Sequence, residues 1–101
     1  MNVKYIDLSQ RQPVNNLFTN VNAKEKFIHI NWNYPVKGEY RFILYRAVNG
    51  ASFTSYKSLS GATASFDDSD VREGYTYEYA VGVIYKDGAR APFGKIAKSS
   101  L

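Results

Sequence analysis

The run from Tyr77 to Tyr85 constrains this chain most. Tyr77, Tyr79, Val81, Val83 and Tyr85 share one parity, while Glu78, Ala80, Gly82 and Ile84 occupy the other. A period of two belongs to an extended strand, whereas a helix repeats its apolar residues at three and four. The same alternation recurs upstream. Ile28, Ile30 and Trp32 form one dry face with His29, Asn31 and Asn33 opposite, and Tyr40, Phe42 and Leu44 form another with Arg41, Ile43 and Tyr45 facing out. Leu17, Thr19 and Val21 predict a first strand, residues 53–59 and the pair Ala64 and Phe66 two short ones, and residues 93–98 a last one.

Punctuation falls between these runs. Pro35 and Gly38 mark a loop over residues 34–39, Asn49-Gly50 and Ser60-Gly61 mark turns, and Asp67-Asp68-Ser69-Asp70 is an acidic turn followed by Gly74. Asp87-Gly88 is a strong hairpin signal between the long strand and the last one. About seven short strands with no helical window and no internal repeat predict an all-β, two-sheet antiparallel sandwich. Residues 1–12 lack clean periodicity and read as a linker or frayed segment, leaving residues 13–101 as the domain.

Composition narrows the function. One core suffices for 101 residues, and 45% hydrophobic content with nine Tyr, six Phe and one Trp is a globular mixture suited to pleated surfaces. Cysteine is absent, which removes disulfides, thiolate metal sites and a Cys nucleophile. The net charge is +4, yet Lys and Arg are dispersed among Asp and Glu, so no phosphate-tracking patch for nucleic acid is expected. No apolar run approaches the roughly 20 residues needed to span a bilayer. The irregular polar stretch after Met1 and the strand-like end at Leu101 lead us to expect a module from a longer processed chain, extracellular or at a cell surface.

With these residues in view, the chain resembles a fibronectin type III domain over residues 13–98. The resemblance rests on Ile28-x-Ile30-x-Trp32, on Phe42-x-Leu44-Tyr45-Arg46 with Asn49-Gly50, on Phe66-Asp67-Asp68-Ser69-Asp70-Val71, and on Gly74-x-x-Tyr77-x-Tyr79-x-Val81-x-Val83. It implies an immunoglobulin-like sandwich. A true immunoglobulin domain carries its buried Trp on the third strand beside a disulfide, whereas Trp32 is on the second and no Cys exists. Within the family the chain is most similar to modules of bacterial secreted glycoside hydrolases and surface proteins. The resemblance assigns structural roles: Trp32 anchors the core, Tyr77 after Gly74 forms the tyrosine corner over Val71, and Asp68 is the turn aspartate.

The chain offers little for catalysis. His29 has no second His or Cys to share a metal, and it reads as a solvated strand residue. Asp67, Asp68 and Asp70 lack the Gly and distal Glu of a calcium loop, and Glu73 and Glu78 suggest no catalytic pair. We therefore expect no enzyme, no cofactor and no metal. Arg90, in the hairpin loop 86–92, is not followed by Gly-Asp, so the adhesive tripeptide of the family is missing. The apolar outward set Ile43, Tyr45, Ala80, Gly82 and Ile84 is a candidate surface for a neighbouring domain or another protein. The expected function is a non-catalytic spacer or interaction module. The alternative is a carbohydrate-binding module, in which Tyr34, Tyr56 and Tyr75 stack on a polysaccharide.

Overall fold

Each alternating run becomes a strand because one face must be buried and the period of two leaves no other way to bury it. The computed structural model describes residues 12–36, 38–91 and 94–101. Within them lie β1 (Asn16–Asn22), β2 (Phe27–Asn33), β3 (Tyr40–Val48), β4 (Thr54–Ser60), β5 (Ser65–Asp68), β6 (Thr76–Tyr85), β7 (Arg90–Ala91) and β8 (Ala97–Ser100). Two antiparallel sheets result, one ordered β1-β2-β5 and the other β4-β3-β6-β7, with β8 also on β6. This is the expected all-β sandwich. No helix of the described residues is long and apolar enough to cross a membrane.

The inward parities of the two sheets meet in one core. Ile28, Ile30 and Trp32 from one sheet face Phe42, Leu44, Tyr79 and Val81 from the other, all at most 4% exposed. Trp32 meets Phe42 edge to face, with ring centroids 5.7 Å apart. Its indole Nε1–H is buried with no acceptor among the described residues, so its worth to the fold is packing.

Turn chemistry sets the register. Asn49 and Gly50 both take positive φ, 53° and 79°, and the Ala51 N–H donates to the Val48 carbonyl at 3.0 Å. That is the geometry of a type I′ turn, which Asn-Gly favours. Gly88, at φ 89°, closes the β6–β7 hairpin while the Ala89 N–H donates to the Asp87 carboxylate at 2.9 Å.

The last strand differs from expectation. A single strand over residues 93–98 is replaced by two pieces that both pair with β6, through Ala91 opposite Val83 and Ala97 opposite Tyr79. Between them the chain leaves the ladder to meet the segment before β1, where the Lys95 N–H donates to the Val14 carbonyl at 3.1 Å. A Cβ on Gly94 would lie 2.4 Å from that same oxygen, so the approach requires glycine. The expected linker, apart from Gln12, and the expected strand start at Phe93 lie outside the described residues.

Candidate functional site

The sandwich presents three candidate places, a buried polar cluster and two outward faces. The first is inside it. Asp68 ends β5 on the inward parity and is the one buried charged residue among those described, at 0% exposure. Its Oδ1 accepts from the Tyr56 hydroxyl at 2.7 Å and the Asp70 N–H at 3.1 Å, while its Oδ2 accepts from Arg46 Nη1 at 2.9 Å and the Tyr79 hydroxyl at 2.6 Å. The Asp70 bond is the Asx-turn expected from sequence. The other three donors were not anticipated.

Each donor has a reason to be there. Arg46 shares the inward parity of Phe42 and Leu44 and stands directly opposite Tyr79. The β3–β4 register shifts between Leu44 and Tyr45, whose partners are Lys57 and Ser55, so Tyr56 is the extra residue of a bulge. A bulge re-aims its side chain, and here Tyr56 turns onto Arg46, with the guanidinium 4.0 Å from the ring centroid. Burial and then the Asp68 bond push the Tyr79 and Tyr56 phenols well above their ordinary range. Burial pulls the Arg46 guanidinium down, but its bond to Asp68 outweighs that and the net direction is up. The cluster is therefore a charge pair held between two neutral phenols.

Beside it stands the tyrosine corner. Tyr77 is 2% exposed, and its hydroxyl oxygen accepts the Arg72 N–H at 2.7 Å. Val71 joins the same core at 9% exposure, and Gly74 takes positive φ at 82°. The bond spans the crossover between β5 in one sheet and β6 in the other.

The second place is the outward face of β3 and β6, the apolar set expected to receive a neighbouring domain or another protein. Its centre is covered by one of its own side chains. A Cβ on Gly82 would lie 2.9 Å from Cε2 of Tyr45, so the Tyr45 ring lies over Gly82, and Ala80 is 0% exposed. Ile43, Tyr45 and Ile84 remain half-buried on that face.

The third is the outward face of β1, β2 and β5, which sequence reading left unremarked. Asn20, His29 and Asp67 stand opposite one another in one row, Phe18, Asn31 and Ser65 in the next, and Asn22 faces Phe27. His29 Nδ1 bonds Asp67 Oδ1, an unexpected partner for a histidine read as merely solvated. Asp67 thus belongs to this face and Asp68 to the core, as neighbours in a strand must. No group of three or more metal-ligating side chains forms among the described residues.

The three rings expected to form a sugar platform do not share one. Tyr34 bonds the Tyr85 hydroxyl and the Gln12 carbonyl and packs edge to face on Tyr40 and Phe42. Tyr56 is held by Asp68, which pairs with Ile28, six positions from Tyr34 and so about 20 Å along the sheet. Tyr75 stacks on Tyr77 at 6.3 Å and 24°. Two of the three rings are spent on internal packing, so stacking through this trio is not available to a polysaccharide.

Neither a family model nor a curated protein matches the chain. Solved structures do. Pectate lyase PelI from Erwinia chrysanthemi, in complex with tetragalacturonic acid, matches with a TM-score of 0.72 and 19% identity over 83% of this chain and 27% of its own. An Fn3-like protein from Clostridium thermocellum matches at 0.70 and 17%, over 84% of this chain and 86% of its own. A β-1,2-glucanase from Parabacteroides distasonis matches at 0.72 and 15%, over 87% of this chain and 12% of its own. The chain spans about a quarter of the length of the pectate lyase. At these identities the likeness is one of fold, and the fold is Fn3-like.

Proposed function

We propose that the chain is a non-catalytic sandwich module of a larger extracellular bacterial protein, where it holds neighbouring domains apart or packs against one. The observation that carries this reading is the Asp68 cluster. A buried carboxylate is a group that an active site would be expected to exploit, and here its two oxygens are occupied by four donors of the scaffold itself. The fold's company supports the modular half. Similar folds make up only 27% of a pectate lyase chain and 12% of a glucanase chain, both from bacteria. The apolar surface of Ile43, Tyr45 and Ile84 is the natural side for a neighbouring domain, because its side chains are only half-buried within the module itself.

The test has two arms. In the first, the purified chain is incubated with a broad panel of hydrolase and lyase substrates, and no turnover is expected. Reproducible turnover abolished by one point change would sink the non-catalytic reading. In the second, the parent reading frame is examined, and an export signal with at least one flanking domain is expected. A frame encoding this domain alone, with no export signal, overturns the modular and extracellular reading.

A further inference from the structure

Asparagine is disfavoured in strands, because its side chain competes for backbone groups and packs poorly on a pleated surface. Five of the eight asparagines in this chain nevertheless fall on the outward parities of β1 and β2: Asn16, Asn20, Asn22, Asn31 and Asn33. The fold does not need them there. Among the described residues no partner holds the amides of Asn20 and Asn31, and Asn22 alone makes a local bond, accepting the Glu25 N–H at 2.9 Å. Charged or prolyl residues would protect the edge strand β1 better, and that reason does not apply at all to β2, which lies between β1 and β5. A local rule broken without structural return is the signature of a site under functional demand.

The geometry says what kind. A shallow groove of ≈ 550 Å³ lies at the end of this face beside the β1–β2 turn, lined among others by Asn20, Asn22, Phe27, His29 and Asp67, with Asn31 one row beyond it. Strands about 4.8 Å apart, with like-facing residues about 6.7 Å apart along each, set these planar polar groups on a lattice of roughly sugar-ring spacing. Asp67 engages Nδ1 of His29 and so fixes the imidazole, while Nε2 and the second Asp67 oxygen have no partner among the described residues. Amides, an imidazole and a carboxylate together offer both donors and acceptors, as paired hydroxyls require. Half-buried Phe27 supplies an apolar ring at the groove's end, directly across from Asn22.

Charge decides among occupants. Among the described residues, Asp67 is the one carboxylate in the groove and is hydrogen-bonded to His29, and Lys24 is the one Lys or Arg lining it. A nucleic acid needs several cations in line and would be repelled by Asp67. A protein partner favours aromatic, Met and Arg side chains together at its centre, whereas Phe18 and Phe27 stand two rows apart here and the row between them is Asn20, His29 and Asp67. We propose that this face binds a neutral oligosaccharide, with Phe27 stacking on a sugar ring and Asn20, His29, Asn31 and Asp67 bonding its hydroxyls. The site is separate from the rings of Tyr34, Tyr56 and Tyr75.

The experiment is a titration of the isotope-labelled full chain with cellohexaose, xylohexaose, mannohexaose and laminarihexaose, followed by NMR, with hexagalacturonate as the acidic arm. At least one neutral hexasaccharide should shift the Asn20, Asn31 and His29 signals. Asn20→Ala and His29→Ala should each weaken that binding about tenfold or more without lowering the melting temperature, because both side chains face solvent. Tyr75→Ala should leave it unchanged. The proposal is overturned if no neutral hexasaccharide shifts these signals at about 10 mM, a concentration well above the weakest useful affinity, if the shifts map elsewhere, or if hexagalacturonate alone binds. Product analysis of the same samples keeps the two readings apart: cleavage refutes the non-catalytic module and leaves the binding face standing.

Discussion

Replacing Asp68 by Asn keeps the shape of the most connected side chain in the domain and removes only its charge and half its acceptors. Asp68 is 0% exposed, and Arg46 is 15% exposed, so neither finds much water when the pair is broken. An amide can place its oxygen toward one pair of donors and must turn its NH₂ toward the other. If the NH₂ faces Tyr56 and the Asp70 N–H, an N–H meets an N–H; if it faces Arg46, a donor meets a cation. Tyrosine hydroxyls rotate to accept, but Arg46 and the Asp70 N–H have nothing to accept with. Loss of one partner from a buried ion pair costs about 3–5 kcal/mol, much of it the stranding of the other charge. Arg46 keeps a 2.8 Å bond to the Asp70 carbonyl, which places the expected cost toward the lower end of that range. For a domain of this size that lowers the melting temperature by roughly 15–25 °C, at about 4–8 °C per kcal/mol. Urea unfolding should show a lower midpoint at unchanged slope. A loss under about 1 kcal/mol would refute the reasoning, since it would mean that water reaches the Arg46–Asp68 pair and supports each charge separately.

Three further outcomes follow from the same geometry. Trp32→Ala should cost about 3–5 kcal/mol in urea unfolding, because the indole is 4% exposed and its Phe42 contact cannot be remade. Tyr77→Phe keeps the ring and strands the Arg72 N–H, for a loss of about 1–3 kcal/mol in a domain that still folds; unchanged stability would remove the tyrosine corner. In alkali, the phenols of Tyr34, Tyr56 and Tyr79 stay neutral in the fold above their ordinary value of 10.0, chiefly through burial. The unfolded chain releases those protons first, so stability is full below pH 10 and falls as pH rises beyond it, by about 1.4 kcal/mol per pH unit for each phenol still held neutral. The share of tyrosinate absorbance that belongs to these three phenols should appear together with unfolding rather than before it, and Tyr79→Phe should make the fall shallower.

Architecture was legible because it depends on parity, and parity is printed in the sequence. Ile28, Ile30 and Trp32 had to share a face whatever the tertiary context, and Asn49-Gly50 had to turn. The broken last strand was not legible. Its departure from β6 depends on Gly94 meeting the Val14 carbonyl, a contact eighty residues apart that no local pattern encodes. Tyr45 over Gly82 was hidden for a related reason. Alternation says that both residues face outward, and it does not say that a ring on one strand leans across onto its neighbour.

The two polar sites show a sharper division. The Asp68 cluster left one readable signal that was passed over: Arg46 continues the inward parity of Phe42 and Leu44, and Asp68 continues that of Ala64 and Phe66, so two opposite charges point into one core. A buried charge requires a partner, and these were the two available. Tyr56 had no such signal, because a bulge reverses parity at the position where parity would have been used. The amide face was readable in principle, since Asn31 and Asn33 alternate openly with Ile30 and Trp32. Parity alone does not distinguish it, because the outward residues of any half-buried strand are polar whether or not they bind anything. On β2 the inward side chains are fixed by the need to fill a core that any sandwich has, whereas Phe27, His29 and Asn31 are free of that demand. The outward set of a half-buried strand is therefore where a common fold is able to record an individual use.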